Sequence, residues 1–341
     1  MGAFLHLRWS HNLYQQPNPW SIIDPALAVV SERRSWLARI EPATGSVRWV
    51  AKVDNPWGST ACTAQRVFYL GSNLRCLDRE SGDVRWDYNP PENYIGNVAA
   101  TATSVLIGGW RGYTPLRSLD ADTGKTQWVY PQTRNMQNPL PGPWGIAVVD
   151  VGTRTADDPS ARLMLLREDG LIGSTFPMPA PMINTDRGTS LQAHADRLIT
   201  VTRDGGVFVL DPRNDNSWIQ VVAHPAGIMA VGRVESGDTL LFHDGDRRIC
   251  AFDLRAGAMR WIGPRTAYRW SGFPAVELPG GRWIVRTNIG EVSLLSPDGA
   301  VLARQTIAQR ISTGLALTAN GLLVAGTKGA LAGYELRDPA G

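Results

Sequence analysis

Four stretches of this sequence repeat one another: RIEPATGSVRW ending at Trp49, CLDRESGDVRW at Trp86, SLDADTGKTQW at Trp128 and AFDLRAGAMRW at Trp261. Each reads as an alternating apolar strand, an acidic residue, a short turn with glycine (Gly45, Gly82, Gly124, Gly257), and a strand with tryptophan four residues after the glycine. The glycine suits the positive-φ position of a three- to five-residue hairpin, where a Cβ brings strain. Weaker copies are VLDPRNDNSWIQV with Trp218 and SLLSPDGAVLA, where Ala303 takes the tryptophan position.

A short β run precedes each hairpin. Eight such runs begin at Ala26, Arg66, Ser104, Arg162, Arg197, Asp238, Arg282 and Leu322. A step of about 40 residues per four-stranded unit is the spacing of β-propeller blades, which bury their apolar faces only against neighbours. The third step is longer, 58 residues, and contains TRNMQNPLPGPW and TRTADDPSA, which read as insertions. The fourth unit shows no clear outer strand, its place being taken by PMPAPMINTDRG. The last unit supplies three strands, and AFLHLRW at the other end, with Trp9 in the repeat position, is the expected fourth. Residues 1–341 are therefore expected to form one all-β domain, an eight-bladed β-propeller of four-stranded blades whose last blade is closed by the N-terminal strand. Such closure removes the open edges of a linear array.

The acidic-x-x-Thr-Gly-x-x-x-Trp hairpin resembles the pyrroloquinoline-quinone-like, or quinoprotein-type, repeat. The resemblance covers nearly the whole chain, strongly in units one to three and six. It implies a propeller in which the tryptophan packs between blades, and a family that includes quinone-dependent dehydrogenases and the scaffold lipoprotein of outer-membrane protein assembly. Fold alone does not choose among such functions. A quinone enzyme of this type would carry a calcium site and, in many members, a vicinal disulfide, and no two cysteines here are adjacent. The chain reads as a cofactor-free member, with no metal expected.

With 34 basic against 31 acidic residues and no block of like charge, the chain carries no nucleic-acid footprint. Cys62, Cys76 and Cys250 are too few and scattered for a disulfide framework or a zinc site, and free thiols suit a reducing compartment. No stretch approaches the roughly 18 apolar residues of a membrane span, and the N-terminus lacks a leader pattern, so a cytoplasmic protein that engages no membrane is expected.

The candidate site is the channel mouth, where the outer strand of one unit passes to the inner strand of the next. The positions there are Trp20, Trp57, Tyr94, Trp144, Arg187, Ala226, Trp270 and Arg310, joined by Trp110, Arg111 and Tyr113 from an extended hairpin and by His11, Tyr14, His224 and His243. Aromatic faces with arginines at the rim suit a planar or anionic small organic ligand. Arg187 and Arg310 would clamp a carboxylate or phosphate, and His11 or His224 would act as the catalytic proton carrier. The same tryptophans would equally serve as a structural plug. His194 reads as a hydrogen-bonded core residue, and Glu32, Glu168, Asp169, Asp204 and Asp244 as turn residues.

No recognised catalytic signature occurs in the chain. The first expectation is a small-molecule-binding propeller, extending to a cofactor-independent cyclase or isomerase of a biosynthetic intermediate. A protein-docking scaffold with a protein partner is the alternative, and a quinone-dependent dehydrogenase the second alternative.

Overall fold

The middle strands of a unit are near-continuous apolar runs, as in RVFYL from Arg66, and bury both faces, while the last strand alternates and keeps one face in solvent. The computed structural model describes residues 3–13, 22–23, 28–32, 36–55, 58–91, 98–108, 114–130, 139–150, 161–179, 191–214, 217–234, 238–266, 275–286 and 289–337. Among them lie eight four-stranded sheets, each a run of consecutive antiparallel strands, with one exception. Sheets one to seven span residues 22–52, 59–88, 98–130, 140–177, 191–223, 228–265 and 275–306. Sheet eight takes three strands from residues 311–336 and its fourth from Leu5–Asn12, which pairs antiparallel with Ala330–Leu336.

The acidic residue of the repeat closes the turn between the third and fourth strands. Asp78 Oδ1 accepts the backbone N–H groups of Glu80 and Ser81, Asp120 Oδ1 those of Asp122 and Thr123, and Asp253 Oδ1 those of Arg255 and Ala256. These are Asx turns, which explains the acid without any appeal to chemistry. One step later the register shifts by a residue beside the tryptophan, as between Cys76↔Trp86 and Leu77↔Val84 or Ala251↔Trp261 and Phe252↔Met259. Such a bulge bends the outer strand.

The tryptophan then lies under the glycine of the next sheet's hairpin. A Cβ at Gly82 would meet Trp49 Cγ at 2.6 Å, one at Gly124 would meet Trp86 at 2.7 Å, one at Gly170 would meet Trp128 at 2.6 Å and one at Gly299 would meet Trp261 at 2.8 Å. Trp9 stands against Gly45 in the same way, from sheet eight to sheet one. Three indoles also donate Nε1–H to the next sheet, Trp49 to Arg79 O, Trp86 to Ala121 O and Trp128 to Glu168 O. The core follows the same logic. Its eight clusters of buried residues each join two consecutive sheets, and the one holding Ala38, Ile40, Val324 and Leu331 joins the eighth to the first.

Sheet four differs from the sequence reading. RLMLLR from Arg162 is its third strand, not its second, which is Gly145–Asp150, and its outer strand is Ile172–Pro177. The long third step thus arises from comparing a second strand with a third. Glu168 and Asp169 accordingly lie in the turn between third and fourth strands, at the end away from the mouth. Trp218 also departs from its expected role: it packs with Leu163, Phe176, Leu198 and Leu210 between sheets four and five, while Gly257 of sheet six meets nothing nearer than Val221 O at 4.0 Å.

Two outcomes follow. Gly82→Ala and Gly257→Ala both place a side chain at positive φ, but only the first drives a Cβ into an indole. Urea denaturation should therefore show Gly82→Ala to be the more destabilising by about 1–3 kcal/mol. Deleting residues 1–10 should remove most of the fourth strand of sheet eight, lower the melting midpoint and promote aggregation through the opened edge; unchanged melting and monomeric behaviour would contradict the pairing.

Candidate functional site

Strand alternation gives every sheet two ends. One carries the turns between second and third strands and the links to the next sheet, and is the mouth end; the other carries the remaining turns. Of the residues expected at the mouth, Trp20, Trp57, Tyr94, Trp110, Tyr113, Arg187 and Trp270 lie outside the described residues, as do Tyr14 and Arg111. His11 sits at the mouth end of the N-terminal strand, half-buried, and burial lowers its pKa. Arg310 is exposed in the link from sheet seven to sheet eight, its carbonyl accepting Lys328 N–H.

Three residues are placed otherwise than expected: Trp144, His224 and His243, the last buried between sheets six and seven. Trp144 is not at the mouth: Pro143 and Trp144 form the two-residue turn between Leu140–Gly142 and Gly145–Asp150, at the opposite end, where the indole packs against the core between sheets four and five. His224, expected on the rim, is only 5% exposed. It packs edge-on against Phe242, with ring centroids 5.5 Å apart, between sheets five and six.

That seam gathers most of the unusual chemistry among the described residues. At the mouth end His224 Nε2 lies 3.5 Å from Asp244 Oδ2, and Cys250 Sγ lies 3.8 Å from the same oxygen. Burial, reinforced by Asp244, pushes the Cys250 thiol up to about 12. Asp244 does cap its turn, accepting Arg248 N–H at 2.8 Å, but it is also a buried carboxylate with a second role. Cys250, His224 and Asp244 are the residues of the described chain able to hold a metal together. The scattered cysteines gave no sign of this, because the partners of Cys250 are a histidine and an aspartate.

At the far end of the same seam lies a cleft of about 630 Å³ lined by His194, Ala195, Asp196, Arg197, Asp211, Asp238 and Arg255 among others. His194 is not a core residue: its Nε2 meets Asp238 Oδ1 at 2.7 Å across the two sheets, and both side chains are partly exposed. Ala195 beside it has φ 50°, a conformation that strains a residue with Cβ. Among the described residues, the cleft is lined by charged and apolar side chains around the imidazole–carboxylate pair. The arrangement suits recognition of a polar group.

Next to Asp244 but on the other face of the strand, His243 is buried between sheets six and seven, with Thr266 Oγ1 3.1 Å from its Nε2. Burial, with a contribution from Arg286, lowers its pKa to about 4 against the opposing pull of Asp244.

Eight four-stranded sheets, five of which set a tryptophan against a glycine of the next sheet, fit a β-propeller built from PQQ-like repeats. The chain belongs to the family described as outer membrane protein assembly factor BamB, whose model matches residues 33–170 and, overlapping them, 116–272. The resemblance read from the hairpins is thereby borne out. Among solved structures, BamB from Moraxella catarrhalis superposes with a TM-score of 0.69 at 18% identity, over 98% of this chain and 98% of that one. The computationally designed Ika8 protein superposes with a TM-score of 0.68 at 12% identity, over 98% of this chain and 100% of the design. At such identities the likeness is one of fold. No curated protein matches the sequence.

His243 supplies a pH test. Its folded pKa lies below its unfolded value near 6.5, so the unfolded chain binds the extra proton first. Stability is then complete above about pH 6.5 and falls as pH drops toward 4, by up to about 3 kcal/mol from this group. Melting midpoints measured from pH 7 to 4 should fall less steeply in His243→Gln than in the wild type.

Proposed function

We propose that the eight sheets close into an eight-bladed ring and that the ring is a protein-docking scaffold. The observation that carries this reading is membership of a family described as an assembly factor, together with a likeness to BamB that spans 98% of both chains. The ring is supported by the pairing of Leu5–Asn12 with Ala330–Leu336 and by a core cluster shared between sheets eight and one.

The outer strands give the scaffold its surface. Each of the eight exposes a large apolar side chain: Leu7, Val50, Val84, Val129, Ile172, Ile219, Ile262 and Leu302 are 40–59% exposed. A free strand edge carrying such residues offers backbone hydrogen bonds for affinity and side chains for specificity to an incoming strand. The cleft between sheets five and six adds a polar recess to the surface. Cys62, Cys76 and Cys250 are in no disulfide with one another, which accords with a reducing compartment, and the cytoplasmic placement stays part of the proposal. The small-ligand reading rests mainly on mouth residues outside the described chain and takes second place.

Photo-crosslinking amino acids placed at Val84, Ile219 and Arg310 should, in the source cells, give adducts with a protein of discrete mass from at least one position. Absence of adducts at all three, combined with a small molecule that co-purifies and raises the melting midpoint, would return the small-ligand reading to first place. At a hundred times its dissociation constant such a molecule would stabilise the fold by about 2.7 kcal/mol.

A further inference from the structure

His224 leaves sheet five on the link toward sheet six, while Asp244 and Cys250 belong to the second and third strands of sheet six. The three are buried, and one ligand atom from each, His224 Nε2 or Nδ1, an Asp244 oxygen and Cys250 Sγ, lies within 4.8 Å of the other two. The Nε2–Oδ2 and Sγ–Oδ2 separations are 3.5 and 3.8 Å. Tetrahedral coordination with bonds of about 2.0 Å to N and O and 2.3 Å to S has ligand–ligand edges of about 3.3–3.6 Å. The side chains therefore stand within a few tenths of an ångström of that geometry along both measured edges.

As a purely organic cluster the arrangement is poorly satisfied. His224 Nε2 is buried and has no hydrogen-bond partner, although it points at a carboxylate. Rotation of the ring to find one is opposed by Phe242, packed edge-to-face with it, and by a backbone fixed on both sides. His224 N–H donates to Gly205 O at 2.7 Å, Gly227 N–H to His224 O at 3.0 Å and Gly245 N–H to Ala226 O at 3.0 Å. Asp244 is fixed as well, since Oδ1 accepts Arg248 N–H and leaves Oδ2 to face the imidazole and the thiol.

The geometry points to a buried metal site in which His224, Asp244 and Cys250 supply three ligands to a borderline-soft divalent cation of the zinc type. A thiolate with an imidazole selects zinc-like ions over calcium and magnesium, which take oxygen ligands. On binding, Cys250 gives up its thiol proton to solvent and its sulfur takes the metal in exchange. The ion would tie sheet five to sheet six at a seam where, among the described residues, no indole lies under the next glycine, Gly257. This site is independent of the docking reading and is tested separately.

The test uses reduced, full-length protein stripped with a chelator and titrated with cobalt(II). One equivalent should bind and give a thiolate-to-cobalt charge-transfer band in the near ultraviolet, bleached by one equivalent of zinc, and zinc should raise the melting midpoint. Cys250→Ser should abolish the band, and His224→Gln should weaken binding at least tenfold, whereas Cys62→Ser and His194→Ala should leave both unchanged. A wild-type protein without the band or the zinc-dependent rise in melting overturns the site, as does a band that persists in Cys250→Ser. Should either variant fail to fold, the wild-type band and its bleaching by stoichiometric zinc, retained in Cys62→Ser, decide the matter.

Discussion

An indole ring lying flat beneath a glycine of the neighbouring sheet sets the spacing on which the rest of this fold depends. The glycine is required twice over at Gly82, where φ is +77° and a Cβ would collide with Trp49. The Asx turn that precedes it presents the glycine at the right height, and the bulge beside the tryptophan turns the ring toward the next sheet. Buried apolar side chains fill the space behind this contact, which is why each core cluster belongs to a pair of sheets rather than to one. Hydrophobic burial supplies the attraction, and the tryptophan–glycine contact supplies the register between units.

Seams without that contact are closed by other means, polar in two of them and aromatic in a third. Between sheets seven and eight, where Ala303 replaces the tryptophan, Gln305 Oε1 accepts the N–H groups of Phe4 and Leu5 and its Nε2 donates to Leu5 O. In the same seam the fully buried Arg286 donates to Ile311 O and Thr313 O. Between sheets four and five Trp144 and Trp218 fill the space from other directions. Between sheets five and six the contact is replaced by histidine–aspartate pairs at both ends, His224 with Asp244 and His194 with Asp238. Polar contacts are directional where hydrophobic ones are not, so a seam built from them holds one geometry or loses its bonds.

The repeat was legible because its parts sit at fixed offsets within eleven residues, and local chemistry dictates each one. The pairing of Leu5–Asn12 with the last strand was legible too, since an orphan strand with Trp9 in register had one vacancy to fill. The second strand of sheet four is hidden in the sequence, because TRTADDPSA stands between it and the third. Trp144 was displaced for a related reason: a Pro-Trp pair marks a turn, but it does not say which end of the sheet the turn occupies. His224, Asp244 and Cys250 form a group that no spacing signature marks, because it is made of a link and two adjacent strands. Arg286 gave no signal at all, since a single arginine in RWIVRT reads as an exposed strand end.

Joining the first strand to the last has a consequence for how the protein is made. Leu5 pairs with Leu336, so a ribosome adding about 5–20 residues per second must work for roughly 15–65 s between the two. During that interval the first strand has no edge to join, while sheets one to seven, each built from consecutive strands, meet their partners within seconds. The unpaired strand is short and carries Arg8, His6 and His11 among its apolar residues, a composition that discourages pairing with the wrong edge. Of the eight sheets, the one that joins Leu5 to Leu336 is thus the last that can form.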